Sequence, residues 1–308
     1  MDPIITVKNI YKNYGATHAL EDISFNVKEN ELFGFIGPDG AGKTSLLRIL
    51  TTLLIPDKGE ARVCGLNTIN DYRQIRLLLG YMPGRFSLYQ DLTVEENLTF
   101  FASVFNTTIA ENYDLIKDIY SHIEPFKDRP AGKLSGGMKQ KLALSCALIH
   151  KPTVLILDEP TTGVDAVSRK EFWQMLKNLQ QRGITILVST PYMDEAGMCD
   201  RVALIQKGRI MQIDKPAEIV KSYPKQLLSI RSKELYPLLR DLREYPDTGS
   251  VFPFGQELHY TSKNTTIDTN PMRKYLEEKG HKEINISSIQ PGIEDVFMEL
   301  MKENENRK

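Results

Sequence analysis

Apolar positions in the first two thirds of the chain come mostly as short buried runs rather than long stripes. Ile4 to Val7 and Ile23 to Val27 read as strands on either side of a Tyr14-Gly15 turn. Glu31-Leu-Phe-Gly-Phe-Ile-Gly37 is an apolar run ending in glycine, the pattern of a strand covered on both faces. From Thr44 the period changes to helical, and Leu46, Leu47, Leu50, Leu53 and Leu54 share one face. The spacing predicts a helix over 44–54, stopped by Pro56-Asp57-Lys58-Gly59. A strand therefore feeds a glycine loop, which feeds a helix.

From Leu92 to about His150 the pattern is mostly helical. Thr93-Val-Glu-Glu96 has capping-box spacing ahead of an aromatic-rich helix, Leu98 to Phe105. Val154 to Leu157 and Ile184 to Ser189 are further buried strands, and Val202 to Gln206 with Arg209 to Ile213 forms a hairpin around Lys207-Gly208. The punctuation changes around 215–224, which divides the chain into residues 1–218, with a helical subdomain over about 90–150, and residues 219–308. The tail reads strand, helix, two strands, helix, strand, then a helix over Ile293 to Lys302. That β-α-β-β-α-β order predicts a small α+β, ferredoxin-like domain. The charged end, Glu303 to Lys308, reads as disordered.

Composition narrows the class. Of the 308 residues 41% are hydrophobic and 26% charged, with a net charge of -1, so no basic stripe calls for nucleic acid. Cys64, Cys146 and Cys199 lack paired spacing, which suits a reduced, cytosolic protein and no zinc site. Met1 to Lys8 shows no leader pattern. No apolar run is long enough to span a bilayer; the best, Leu46 to Ile55, is broken by Arg48, Thr51 and Thr52. Work at a membrane would need another polypeptide to cross it.

Three motifs carry the chemistry. Gly37-Pro38-Asp39-Gly40-Ala41-Gly42-Lys43-Thr44, with Ser45 next, is a phosphate loop between strand and helix. Its glycines let successive N–H groups face a phosphate chain, and the helix N-terminus adds positive potential. Lys43 supplies a point charge to the β and γ phosphates, and Thr44 a hydroxyl for Mg²⁺. Asp158 and Glu159 end an apolar strand, where ligands of open α/β sheets collect. Asp158 is the candidate metal carboxylate and Glu159 the candidate base for a water attacking the γ-phosphate. Leu134-Ser135-Gly136-Gly137-Met138-Lys139-Gln140 opens a helix with Ser135 as N-cap and a second set of free N–H groups.

In this order, followed by Thr161-Thr-Gly-Val-Asp165, the motifs resemble the nucleotide-binding subunits of ABC transporters from Val7 to about Ile213. The resemblance implies a P-loop NTPase cassette of α/β class, with a mixed sheet core and a helical subdomain. It also implies ATP and Mg²⁺ as cofactors, and two cassettes sandwiching two ATP head to tail. Ser135, Gly136 and Gly137 of one copy would then face the phosphate loop of the other. Tyr14 matches the residue that stacks on adenine; the plain alternative is that Tyr11 or Tyr14 packs on a strand. Asp165 matches the turn that crosses the dimer interface.

Two positions depart from the family pattern. Gly84 stands where a glutamine is usual, and Pro191 where a histidine is usual. One reading is a slow site whose signature completes a partner's site; the other is normal turnover. The stretches 81–98, 131–149 and 189–196 and the tail from Ser288 to Phe297 are similar to ABC-2-type multidrug exporter ATPases of the YbhF kind. That implies an ABC-2-type integral membrane permease and a second cassette, identical or not, as partners. It implies no nucleic acid, and a place on the inner face of the cytoplasmic membrane. Phe86, Leu88, Leu92, Leu98 and Phe101 would lie at the permease contact or in the core. A soluble ABC protein acting on ribosomes or DNA and an ATP-sensing regulator are the alternatives.

Overall fold

The computed structural model describes residues 3–264 and 267–306. The chain divides into two compact units, Met1–Pro216 and Ala217–Lys308. Among the described residues no helix is long and apolar enough to cross a membrane.

The first unit begins with β1 (Ile5–Tyr14), β2 (Thr17–Val27), β3 (Leu32–Ile36) and α1 (Lys43–Leu50). It continues with β4 (Lys58–Val63), β5 (Leu66–Asn67), α2 (Tyr72–Leu78) and β6 (Leu79–Met82). Three helices follow, α3 (Val94–Val104), α4 (Ile109–Tyr120) and α5 (Gly136–Leu148). The unit closes with β7 (Val154–Asp158), α6 (Ala166–Gln181), β8 (Thr185–Thr190), β9 (Arg201–Gln206) and β10 (Arg209–Asp214), and α7 (Pro216–Lys221) comes next.

Two sheets share the core. One is antiparallel, ordered β2-β1-β4-β5; the other has six strands, ordered β10-β9-β3-β8-β7-β6. In the larger sheet only β10 runs antiparallel to its neighbour. Every residue of β3 and β7 is buried, as expected of strands covered on both faces. Phe25 of β2 packs edge-on to Phe35 of β3 at 4.9 Å, and α1 adds Leu46 and Leu47 to the same core. Each such leucine contributes about 2 kcal/mol by leaving water. The β9-β10 hairpin turns at Lys207 (φ 46°) and Gly208 (φ 73°), the left-handed pair that a tight hairpin needs.

Helix α1 ends earlier than its leucines suggest. Thr52 takes a left-handed φ of 61°, and the Leu53 amide donates back to the Arg48 carbonyl at 2.8 Å. This closes the helix after Leu50 and leaves Leu53 57% exposed, so Pro56 to Gly59 is not the stop. Instead Asp57 accepts from the Asn13 amide and from Lys12 Nζ, both at 2.7 Å. Helix α3 carries the expected capping box between Thr93 and Glu96, and begins at Val94. Fully buried Asn97 donates to the carbonyls of Tyr89 at 2.9 Å, Leu92 at 3.2 Å and Thr93 at 2.9 Å. That side chain fixes the loop before α3.

The second unit contains β11 (Leu227–Arg231), α8 (Leu235–Glu244), β12 (Thr248–Phe254) and β13 (Glu257–Ser262), then α9 (Thr269–Glu278), β14 (Asn285–Ile289) and α10 (Ile293–Asn306). Its antiparallel sheet is ordered β12-β13-β11-β14, over a core that includes Leu228, Ile230, Leu238, Leu258, Tyr260 and Leu276. Helix α10 runs through Asn306, so 303–306 is helical rather than disordered. Residues 307–308 lie outside the described residues.

Candidate functional site

The loop from Gly37 to Gly42 leaves β3 and enters α1 at Lys43. Only glycine fits at two of its positions. A Cβ on Gly37 would fall 2.1 Å from the Ile205 carbonyl oxygen, and one on Gly42 (φ 103°) 2.4 Å from that of Ala19. Lys43 is 3% exposed, and its Nζ donates to the carbonyls of Gly37 at 2.7 Å and Pro38 at 3.0 Å. The ammonium thus sits inside the loop, with Asp39 and Gly40 on the exposed outer side and Ala41 buried.

Strand β7 delivers the two carboxylates to the same place. Glu159 Oε1 lies 3.2 Å from Lys43 Nζ. Thr44 Oγ1 donates to Asp158 Oδ1 at 3.2 Å. Ser189, at the end of β8, donates from Oγ to that same oxygen at 2.7 Å. The Glu159 amide donates to the Ser189 carbonyl at 3.0 Å and its hydroxyl at 3.1 Å. The expected loop, metal and base residues therefore converge. Thr44 and Asp158 offer two hard oxygen donors, and among the described residues no cluster of three or more metal-ligating side chains exists. That donor set fits Mg²⁺, which binds through few protein oxygens together with phosphates and water.

Tyr14 is 47% exposed, and its hydroxyl lies 3.4 Å from Ser45 Oγ beside the start of α1. Tyr11 instead carries Lys58 over its ring at 6.0 Å.

The signature segment is built through contacts of its own. Ser135 caps α5 by accepting from the Met138 amide at 3.3 Å, and Ser135 and Gly136 are exposed. Among the described residues no hydrogen bond joins 135–137 to the phosphate loop. A Cβ on Gly137 would meet Ser168 Oγ at 3.0 Å. Asp165 caps α6, accepting from Ser168 N at 3.0 Å and Val167 N at 3.1 Å. Those donors, Ser168 first, hold its carboxyl below the usual range.

At the two divergent positions, a Cβ on Gly84 would stand 3.1 Å from the Asp158 carbonyl oxygen and 3.7 Å from Asp158 Oδ2. Pro191 follows Thr190, whose hydroxyl bonds Glu195, a carboxylate 3% exposed that also accepts from Thr161 Oγ1 at 2.8 Å. Sequence reasoning missed Ser189, Glu195 and Asn97. Ser189 and Glu195 fall in the family-like stretch 189–196, but no role is legible there, because their partners are set by the fold.

A second concavity, about 350 Å³, is lined by Leu79, Met82, Leu88, Phe101, Phe105 and His150. The Phe105 and His150 rings stack at 3.7 Å, and burial holds His150 below the usual histidine range. On α3, Phe100 and Val104 are exposed. Of the apolar set expected here, Leu88 and Phe101 line the concavity, Leu98 is fully buried, and Phe86 lies under Lys139.

Residues 20–162 match the model of the ABC transporter family. The chain is 35% identical over 306 residues to the probable multidrug ABC transporter ATP-binding protein YbhF of Escherichia coli K12, covering 97% of this chain and 52% of that protein. It therefore spans about half the length of that relative. It is 34% identical over 309 residues to the Nod factor export ATP-binding protein I of Burkholderia lata, covering 96% of each. Among solved structures, cbiO1 of Clostridium perfringens, part of the ABC transporter complex cbiONQ, superposes with a TM-score of 0.65 at 28% identity, over 72% of this chain and 92% of that one. A dimeric post-hydrolysis ATP-binding cassette bound to ADP and Pi superposes with a TM-score of 0.62 at 26% identity, over 68% and 98%.

Proposed function

This chain belongs to the ABC transporter family as an ATP-binding subunit, and from that premise we propose that it is the ATPase motor of an ABC-2-type membrane exporter. The observation that carries the reading is the convergence of Lys43, Thr44, Asp158 and Glu159 at one loop. Loop N–H groups from Gly37 to Thr44 and the Lys43 ammonium bind the phosphates, and Tyr14 stacks on adenine. Thr44 and Asp158 hold Mg²⁺, which neutralises charge on the β and γ oxygens when bound. Glu159 orients the attacking water and accepts its proton. A second cassette supplies Ser135, Gly136 and Gly137 to the γ-phosphate, and Asp165 lies at the junction. ATP then joins the two copies, and hydrolysis releases them.

Slow turnover, the reading drawn from Gly84 and Pro191, has no support in the site's geometry. Glu159 stands beside Lys43, and the carboxylates keep hydroxyl partners. We therefore read the site as one that turns over. The second unit is read as ferredoxin-like, from its β-α-β-β-α-β order on an antiparallel sheet.

The concavity beside α3 supports a permease partner. It is apolar, and exposed Phe100 and Val104 add surface that a cytosolic helix of a permease would cover. The subunit would then sit on the inner face of the membrane, and closure of the cassettes would rock the permease between its two openings. One relative is named for multidrug transport and another for Nod factor export, so the cargo is assigned no closer than an exported molecule. Pull-down of the tagged chain from detergent-solubilised membranes tests this. A multi-spanning permease is expected; ribosomes or nucleic acid without one would overturn the exporter reading and leave ATP binding intact.

A further inference from the structure

We propose that Ser189 is a positioning residue for hydrolysis, one hydroxyl that sets both carboxylates of the site at once. The inference rests on the reading of Asp158 and Glu159 as the hydrolytic pair.

The parallel register of β7 and β8 puts Ser189 directly opposite Asp158. Ser189 is fully buried, and Asp158 is 3% exposed. The Ser189 hydroxyl has one proton, and it is given to Asp158 Oδ1 at 2.7 Å. Its lone pairs remain for the Glu159 amide at 3.1 Å, alongside the Ser189 carbonyl at 3.0 Å. One side chain thus fixes the rotation of the Asp158 carboxylate and anchors the backbone from which Glu159 projects.

That anchoring matters because Glu159 has a φ of 50°, a left-handed conformation that a non-glycine residue holds only when its neighbours impose it. The Glu159 carboxylate itself is held by Lys43 Nζ at 3.2 Å and by the Thr162 hydroxyl at 3.5 Å. Thr44 reaches Asp158 Oδ1 at 3.2 Å, and its hydroxyl is needed for the metal. The opposite oxygen, Oδ2, faces Gly84, which has no side chain to offer. Pro191, two residues beyond Ser189, has no side-chain donor and no N–H. Among the described residues Ser189 is therefore the hydroxyl that bonds both members of the pair. Partners that orient a metal-binding carboxylate typically change activity by about 10–100-fold when removed.

Two variants of nearly equal shape test the inference, Ser189→Thr and Ser189→Val. Both add bulk to the same strand, and only Thr keeps the hydroxyl. The readouts are kcat and KM for MgATP on the full chain, with Glu159→Gln as control. The expected result is a kcat for Ser189→Thr about 10-fold above that of Ser189→Val, at similar KM. Equal kcat in the two variants, with Glu159→Gln inactive, would overturn the role of Ser189 and leave the hydrolytic pair standing. A Glu159→Gln chain that hydrolyses ATP normally would instead remove the reading beneath it. If neither variant folds, the same comparison is made with Ser189→Ala against Ser189→Cys. A lower kcat for Ala supports the role, and equality opposes it.

Discussion

Lys43 Nζ and Glu159 Oε1 are 3.2 Å apart, with the lysine almost wholly buried. The same ammonium that would bind the γ-phosphate therefore already has an anionic partner. A phosphate arriving at the loop competes with Glu159 for that charge, and the two anions repel. Glu159→Gln is expected to tighten ATP binding by about 5-fold or more through this release. It is also expected to lower hydrolysis by at least about 100-fold, since the base is gone. Equilibrium binding of a fluorescent ATP analogue and a phosphate-release assay check the two effects separately. Unchanged affinity would mean that the ion pair does not restrain the site.

Gly42→Ala is expected to abolish nucleotide binding. The new methyl would fall 2.4 Å from the Ala19 carbonyl oxygen, on a backbone with φ 103°. The loop must shift, and the N–H groups no longer converge. Gly40→Ala keeps the strain of φ 76° but meets nothing within 4 Å, so its effect should be smaller. Comparison of the two by ATP binding separates crowding from backbone strain.

Asn97→Leu is expected to destabilise the first unit by about 2–4 kcal/mol. It removes three donor contacts and leaves the carbonyls of Tyr89, Leu92 and Thr93 without that partner. Thr93→Ala, which breaks only the capping box, should cost about 1 kcal/mol. Denaturant unfolding of both variants gives the comparison.

Phe101→Asp places a charge in the apolar concavity and is away from the phosphate loop. Permease capture should be lost while the ATPase rate of the isolated chain stays within about 2-fold. Loss of both would make Phe101 a packing residue of the cassette.

The second unit carries a pH prediction. Hydrogen bonds from Ser229 and Arg231 pull the Glu257 carboxyl down to about 2 from an ordinary 4.5. Because the folded value is the lower one, the stabilisation is present in full above the unfolded value. It is lost as pH falls from about 4.5 to about 2. After allowance for solvent screening it amounts to roughly 1–2 kcal/mol. Glu257→Gln should therefore lower the Tm at pH 7, with a gap that narrows below about pH 4.5 and closes only below about pH 2. A gap independent of pH would place the effect in packing.

Much of the site is legible from the sequence because its chemistry constrains backbone types. Gly37 and Gly42 are glycines since carbonyl oxygens crowd them, and Ser135 and Thr93 announce helix starts through their own hydroxyls. The end of α1 is not legible, because Leu53 and Leu54 extend the helical spacing while Thr52 turns the chain. Helix α6 carries Phe172, Leu176 and Leu179 at helical spacing and lies outside the expectation all the same, as does α2. Ser189 is hidden for a different reason. Its function depends on the register of β8 against β7, which no local pattern encodes.

The most direct test of the account is the mass of the Glu159→Gln chain by light scattering, with MgATP and with MgADP. On the proposed reading, residues 135–137 of one copy face the phosphate loop of the other, so MgATP joins two copies. The expected result is a dimer with MgATP and a monomer with MgADP. A chain that binds MgATP and remains a monomer would contradict it.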